Sequence, residues 1–333
     1  MGDSKQTGRA KTIRRPALRD VAQAANVSLM TASRAINGSP RVARETRARV
    51  LVEAERLGYR PSLSARSLRT NQTGLIGVST PDLMMPLQIE VVLGARDAAA
   101  HEGYRLLLDV DMTHDGGRHP FTADGELLIA TAAHDPEYGV QHDPGKTVNL
   151  MGKSSVLDVC GTDLDRATFA AYQQLASSGY RRIALLAHHD SPSLQGFAQA
   201  TRELEIAGDA HLVQVVGNDQ GSVSRAIDRL MSSPEAPDAI VVVNVAGTPL
   251  ALRALGRRGI SVGRDVAFIG TEPSLAEWGD LVSPKMSAIR VPGYEIGAAG
   301  ARRLIARIRG DSSPPQHHLF PSELVIREST PRI

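Results

Sequence analysis

The chain of 333 residues contains a single cysteine, and aromatic residues account for only 4% of it. Cys160 by itself cannot close an intrachain disulfide or build a cysteine-based zinc site, so neither kind of cross-link can stabilise the fold. Apolar stretches such as Ala239–Val243 are far shorter than the roughly 20 residues of a membrane-spanning helix. The first 15 residues are basic and no apolar segment follows them, which is unlike a secretory signal. We therefore expect a cytoplasmic protein.

Sequence motifs of common enzymes are missing as well. The chain has no G-x-G-x-x-G, G-x-x-x-x-G-K-[ST], G-x-S-x-G or H-E-x-x-H pattern, which excludes the usual nucleotide-binding loops, serine nucleophiles and zinc helices. Asp and His residues at 109–119 and 188–190 are of the types that ligate metals, but loops of this composition are usually solvated turns. We expect no enzyme activity, no catalytic residue, no cofactor and no metal site.

What the chain does have is an uneven distribution of charge. Residues 1–70 hold 15 Lys and Arg against 5 Asp and Glu, whereas the rest holds 23 against 31. A basic segment of net charge +10 therefore precedes a larger body of net charge −8. Such a segment favours a polyanionic partner, because neutralising phosphates releases counterions. A basic tail without a specific partner would show the same balance, so charge alone leaves both open.

Residues 18–37 have the pattern of two short helices joined by a tight turn. Apolar residues recur at helical spacing up to Ala25, Asn26 tolerates a left-handed backbone, and Ser28 suits the N-cap of the second helix. At about 100° per residue, this helix has a small apolar face and an outer face. The outer face carries Leu29, Met30, Ser33, Arg34 and Asn37. Exposed apolar side chains beside an arginine suit the major groove of DNA, the alternative being a plain surface helix.

A third helix is predicted at 44–57, with Val50, Leu51, Ala54 and Leu57 directed inward. A glycine at 58 suits its C-cap, and a proline at 61 prevents its continuation. A serine at 62 can cap a short basic helix that ends near 69, and the flexible residues 70–74 follow. From residue 75 onward, strand and helix patterns alternate up to a last strand near 324–327. Repeated strand-helix units predict parallel sheets with right-handed crossovers. Two such lobes would leave a cleft at the carboxyl ends of their strands, where ligands bind.

Residues 17–69 resemble the DNA-binding head of the LacI/GalR (lactose- and galactose-repressor) family. The matching segments, at fixed spacing, are LRDVA at 18–22, VS at 27–28, TASR at 31–34, ING at 36–38, ETR at 45–47, LGYRP at 57–61 and ARSL at 65–68. The resemblance implies an α + α/β fold: a helix-turn-helix head with a hinge helix, then a two-lobed, doubly wound sensor domain like periplasmic binding proteins. The expected boundaries are a basic tail at 1–15, the helix-turn-helix domain at 16–61, the hinge helix and linker at 62–73, and an effector-binding and dimerisation domain at 74–333.

The resemblance also implies roles for residues of the head. Base readout is expected from Leu29, Met30 and Arg34, and phosphate contacts are expected from Ser28, Thr31 and Ser33. In the hinge helix, Ala65 and Leu68 match positions that enter the minor groove, where an apolar wedge unstacks a base step. The sequence departs from the family at Ala17 and Ala43, where it lacks the usual capping hydroxyls, and each lost cap costs about 1 kcal/mol.

The body departs further from the family. Leu87 and Gln88 replace common aromatics, and Ser193 stands where the family usually has an arginine that binds sugar hydroxyls. Asn244 and Glu272 remain as polar residues of the expected effector cleft. Residues 111–125 are too rich in glycine for the usual helix, which predicts a trimmed first lobe. The effector is therefore not a typical sugar, or none exists; a ligand would be less hydroxylated or carry a positive group that pairs with Glu272.

The sequence thus predicts a transcriptional regulator, a repressor that binds a palindromic operator in double-stranded DNA as a homodimer. A small-molecule effector would change operator affinity through its different affinities for two body conformations. One alternative is a repressor without an effector. The other is a solute-binding or enzymatic module with an appended DNA-binding head.

Overall fold

The computed structural model describes residues 16–59, 72–80, 85–110, 123–129, 143–188 and 191–331. The chain divides into two compact units, Met1–Thr73 and Gly74–Ile333, which we call the head and the body. Within the described residues, no helix is both long enough and apolar enough to cross a membrane.

Within its described residues, 16–59 and 72–73, the head contains three helices, α1 (Leu18–Ala24), α2 (Leu29–Ile36) and α3 (Arg44–Arg56). As predicted, Asn26 has a left-handed backbone (φ 51°) and makes the tight turn between α1 and α2. Most side chains of the core are small, which allows close packing of the helices. The buried set comprises Val21, Ala22, Ala25, Ala32, Ala35, Val50 and Ala54.

One residue of the predicted core was assigned wrongly. Leu51 is 47% exposed, whereas Val50 is fully buried and Ala54 is buried. At about 100° per residue, Leu51 lies roughly 90° away from the direction shared by Val50, Ala54 and Leu57. Apolar character alone suggested burial, but the helical geometry turns this side chain to solvent.

In the part of the chain that the structure describes, the first lobe of the body is a six-stranded parallel sheet with two helices packed on one face. Its strand order is β11-β5-β4-β3-β1-β2. The strands are β1 (Leu75–Ser79), β2 (Arg105–Asp109), β3 (Gly125–Ile129), β4 (Thr147–Leu150), β5 (Asp158–Thr162) and β11 (His317–Phe320). The helices are α4 (Pro86–His101) and α9 (Gly293–Ile308). Apolar side chains of this sheet face and of α4 and α9 form one continuous core.

The second lobe has a six-stranded sheet of order β12-β10-β9-β8-β6-β7, in which only β12 is antiparallel. Its strands are β6 (Ile183–Ala187), β7 (Val213–Val215), β8 (Ala239–Val243), β9 (Ala267–Pro273), β10 (Ser287–Val291) and β12 (Glu323–Val325). Its helices are α5 (Leu164–Ser177), α6 (Ser193–Glu203), α7 (Gln220–Met231) and α8 (Gly247–Arg257). Separate apolar cores cover the two sheet faces.

The chain passes between the lobes three times, after β5, after β10 and after β11. The doubly wound, two-lobed architecture therefore agrees with the sequence prediction. Strands β3 and β11 are additions to the predicted alternation, since Glu126 interrupts the apolar run of the first and the second is an exposed edge strand beginning His317-His318. Residues 111–122, where we expect no helix, lie outside the described residues, so a trimmed first lobe stays a prediction.

Candidate DNA-reading face and effector cleft

The N-terminus of α2 is capped by Ser28, as the sequence predicts. The backbone N–H of Thr31 donates to the Ser28 hydroxyl oxygen at 3.1 Å, and the two hydroxyl oxygens are 2.9 Å apart. Ser28 is exposed. A capped, exposed helix N-terminus with two hydroxyls favours contact with phosphate oxygens.

The outer face of α2 carries the three side chains expected to read bases. Leu29 and Met30 are 54% and 61% exposed, and Arg34 is exposed as well. The opposite face is anchored in the core by Ala32 and Ala35. Ser33 lies beside the outer face, and the side-chain amide of Asn37 donates to its carbonyl at 2.7 Å. Burial of one face thus holds the other toward solvent.

Several other arginines of the head are occupied within the protein. The guanidinium of Arg47 donates to the Ser39 carbonyl, and Nε of Arg49 donates to the Ala25 carbonyl at 3.0 Å. Arg56 pairs with Glu53 at 2.7 Å. The guanidinium of Arg34, in contrast, has no hydrogen-bond or ion-pair partner among the residues that the structure describes. Its guanidinium can therefore bind a partner molecule.

Both alanines at predicted cap positions lack a side-chain cap. At α1 the loss is partly compensated, because the backbone N–H of Ala17 donates to the Asp20 carboxylate at 2.7 Å. Nothing similar is present at Ala43 among the described contacts. The expected hinge residues Ala65 and Leu68 lie outside the described residues, and their roles stay predictions.

In the second lobe, polar side chains meet where three parallel strands end. His188 follows β6, Asn218 follows β7 and Asn244 follows β8. The Asn218 side-chain oxygen is 2.7 Å from Nε2 of His188 and accepts a hydrogen bond from the Asn244 amide at 3.2 Å. The Asn244 oxygen in turn accepts the backbone N–H of Gly247, at the start of α8. The structure thus adds Asn218, which sequence reasoning missed because its neighbours appear only when β7 lies beside β6.

Glu272, the other polar residue of the expected cleft, already has partners within the protein. It lies fully buried in β9. Its carboxylate accepts hydrogen bonds from Arg327 (3.2 Å), from Arg290 (3.3 Å) and from the backbone N–H of Gly279 (2.7 Å). Two arginines already balance this charge, so a positive group on a ligand would have to displace one of them. A role of Glu272 in anchoring a ligand stays a prediction.

The other predicted cleft residues lie in the first turns of two helices. Leu87 and Gln88 begin α4, where Leu87 is partly buried and Gln88 is buried. Ser193 begins α6, is fully buried, and has its hydroxyl 2.7 Å from that of Ser191. The structure therefore does not expose Gln88 or Ser193 to a ligand in this arrangement of the lobes. Among the described residues, no group of three or more His, Cys, Asp or Glu is arranged to hold a metal.

Comparison with known proteins agrees with both units. Residues 17–62 match the family described as "Bacterial regulatory proteins, lacI family", and residues 172–330 match a periplasmic binding protein-like domain. The chain is 30% identical over 338 residues to the HTH-type transcriptional regulator PtxS of Pseudomonas putida, covering 96% of this chain and 98% of that protein. The chain belongs to the LacI family. It is also 28% identical over 330 residues to the HTH-type transcriptional repressor CytR of Escherichia coli, covering 94% of this chain and 96% of that one.

A solved structure has the same fold. The lac repressor dimer bound to operator superposes with a TM-score of 0.81 at 22% identity, covering 95% of this chain and 99% of that one. The LacI-family protein described here is thus a transcriptional regulator with a DNA-binding helix-turn-helix head and a periplasmic-binding-protein-like body.

Proposed function

We propose that this LacI-family protein is a repressor that binds a palindromic operator as a homodimer. The observation that carries the proposal is the outer face of α2, where Leu29, Met30 and Arg34 are exposed together. Thymine methyl groups accept apolar contacts, and guanine accepts a bidentate arginine. Three readout residues in one head supply limited discrimination, because each base pair contributes about 1–3 kcal/mol. Two heads related by a two-fold axis double it and require a palindromic site.

The remaining contacts of the head would position it on the duplex. Ser28, Thr31 and Ser33 surround the N-terminal half of α2, where hydroxyls and backbone amides suit phosphate oxygens. Ala65 and Leu68 would enter the minor groove at the centre of the operator, where a leucine from each subunit opens the central base step. In this proposal the protein binds its operator in the cytoplasm. It catalyses no reaction.

For the effector, the structure supports a neutral molecule rather than a cation. The side-chain amides of Asn244 and Asn218 offer uncharged donors and acceptors at the strand ends beside His188, whereas the charge of Glu272 is already balanced. Without a clamping arginine or stacking aromatics, several hydroxyls of a hexose would stay unpaired at about 1–3 kcal/mol for each buried group. We therefore expect common hexoses at millimolar concentration to leave both the melting temperature and operator release unchanged.

A repressor without an effector is the second candidate, and the burial of Gln88 and Ser193 favours it. Both candidates share the DNA-binding step and differ only in its control. A thermal-shift screen of sugars, amines and nucleosides distinguishes them, because an effector raises the melting temperature and changes operator affinity together.

The test of DNA binding starts with selection of operators from a random DNA library by the full-length protein. We expect a palindromic consensus with a pyrimidine–purine step at its centre, since such steps kink easily. Leu68→Ala should weaken binding to this operator and reduce the DNA bend in a circular-permutation assay. Recovery of a single, non-repeated half-site would contradict the two-fold arrangement, and an unchanged bend angle would contradict the leucine wedge.

A further inference from the structure

Glu90 joins the two lobes of the body. It lies buried in α4 of the first lobe. Its Oε2 accepts hydrogen bonds from the backbone N–H and the hydroxyl of Ser274, both at 3.0 Å, and its Oε1 accepts the backbone N–H of Leu275. Ser274 and Leu275 follow β9 in the second lobe. One carboxylate thus connects segments that are more than 180 positions apart in the chain.

The charge of Glu90 is held without a basic partner. No lysine or arginine pairs with it among the described residues, and the neighbouring charge is that of Glu295 on α9. Burial raises the pKa of Glu90, the hydrogen bonds from Leu275 and Ser274 lower it, and Glu295 raises it again. A buried carboxylate is costly unless it is hydrogen-bonded. The three donors of the loop after β9 therefore stabilise Glu90, and the loop is held in return.

Glu90 lies beside a segment where the polypeptide chain crosses from the second lobe to the first. Gly293 begins α9 directly after the chain returns from β10. A Cβ atom at Gly293 would approach the Cβ of Glu90 to 3.0 Å and Cδ1 of Leu87 to 2.8 Å, so the contact is tight. Leu87 and Gln88 lie within one turn of Glu90 on α4. A movement of this turn would therefore move Glu90, the crossing segment at Gly293 and the loop after β9 together.

We infer that Glu90 is a positioning residue that clamps the loop after β9 to α4 and so holds the lobes in the arrangement described here. Opening of the lobes along this edge has to break three hydrogen bonds to one buried carboxylate. The proposed function enters only through the expected place of Leu87 and Gln88 in the effector cleft. A ligand that displaces their turn would release the clamp, which connects cleft occupancy to the arrangement of the lobes.

The test measures the distance between the lobes in the absence of DNA and effector. His101, exposed on α4, and Val215, exposed on β7, are replaced by cysteine and spin-labelled. Cys160 does not interfere, because it is buried and burial raises its pKa to about 11. Excess unlabelled protein isolates distances within one chain. We expect Glu90→Ala to broaden the distance distribution and shift it to longer values.

Two variants and one control separate a clamp from a general loss of stability. Glu90→Gln keeps one oxygen for Ser274 and should recover part of the native distribution, and Ser274→Ala removes only the hydroxyl and should produce a partial shift. Asp97→Asn is the matched control, because Asp97 is also a carboxylate on α4 but accepts its hydrogen bonds from Arg96 and Tyr294, both of the same lobe. Its distribution should equal that of the parent.

An unchanged distribution in Glu90→Ala would overturn the inference. If that variant does not fold, unchanged distributions in both Glu90→Gln and Ser274→Ala would overturn it instead. Operator binding is scored separately, so a failure of the proposed function leaves this result independent.

Discussion

At the scale of single residues, arginines of the head that hold the fold differ from Arg34, whose guanidinium is available for DNA. Arg47 and Arg49 donate to backbone carbonyls of the turns that surround α2. Arg34 projects from the outer face of α2 beside Leu29 and Met30. All three guanidinium groups carry the same charge. Their positions relative to the core therefore determine whether they bind the protein backbone or remain available for DNA.

Arg34→Ala should weaken binding to the selected operator by about 1–3 kcal/mol and relax the preference at one base pair per half-site. The measurement is a titration of operators in which each base pair is substituted in turn. Arg56→Ala is the control, since this exposed arginine pairs with Glu53 at the end of α3. Equal weakening by Arg34→Ala on all DNA sequences would mean that the residue contacts phosphate only.

Inside the body, two arginines likewise hold the fold, because both pair with the buried Asp158. Its buried carboxylate accepts hydrogen bonds from Arg307 at 2.7 Å and from the backbone N–H of Gln316 at 2.7 Å, with Arg303 at 3.0 Å. Burial raises the pKa of Asp158, but the hydrogen bonds from Arg307, Gln316 and Arg303 outweigh burial and hold the pKa below its usual value. The group ties β5, α9 and the segment before β11 together.

Arg307→Ala should lower the free energy of unfolding by about 3–5 kcal/mol, because it leaves a buried carboxylate poorly paired. Since the folded-state pKa of Asp158 is lowered, the ionised group stabilises the fold above its unfolded pKa, about 3.9, and this contribution is lost as the pH falls through the folded value. The difference between parent and variant should therefore shrink at the acidic end. Urea unfolding at pH 7 and at a series of pH values below about 3.9 measures it, and a difference that stays constant through that acidic range would contradict this account.

At the scale of secondary-structure elements, α4 and α9 are in unusually close contact. A Cβ atom at Gly94 would overlap the carbonyl oxygen of Tyr294, and one at Gly297 would overlap that of Val91. The two glycines therefore allow the helix backbones to meet. This packing fixes α4, whose first turns carry both the expected cleft residues and Glu90.

Gly94→Ala should destabilise the body by at least about 1–3 kcal/mol, because the helices must move apart to admit one methyl group. Gly256→Ala on α8 is the opposite control. Nothing lies within 4 Å of its Cβ position, so the helix should gain about 0.5–1 kcal/mol from the better helix former. Chemical unfolding of both variants checks the pair, and equal destabilisation would show that contact between α4 and α9 is not the cause.

At the scale of the whole molecule, the proposed homodimer needs an apolar surface on the body. The loop between β9 and β10 carries Leu281, which is 78% exposed and is followed by the exposed Val282. Asp280 and Lys285 of the same loop provide both signs of charge, 3.3 Å apart. A surface with both signs beside apolar side chains suits a second copy of itself.

Leu281→Asp should raise the dissociation constant of the dimer at least about tenfold, because a charge would replace an apolar contact at the interface. Sedimentation equilibrium measures this constant directly. Val215→Asp serves as the control: Val215 is also exposed but lies on β7, at the other edge of the sheet. If the two substitutions changed the dissociation constant equally, or if neither changed it, the loop with Leu281 would not be the dimer interface.

Features that depend on residues close together in the chain could be predicted before the structure was known. The Ser28 cap, the turn at Asn26 and the two faces of α2 follow from residues within ten positions of one another. The alternation of strands and helices in the body was predictable for the same reason, because apolar periodicity is a local property. An exposed edge strand such as β11 has no such periodicity and was missed.

Which polar groups remain available for function depends on contacts that form only in the folded protein. The sequence predicts Glu272 as a ligand-binding residue, but in the structure its carboxylate accepts a hydrogen bond from Arg327, 55 positions later. Glu90 carried no signal at all, because its partner Ser274 lies in the other lobe. Whether a buried charge is balanced or available depends on partners that the chain brings together from distant positions. Local pattern specifies which elements form, but three-dimensional packing specifies which side chains are left to bind.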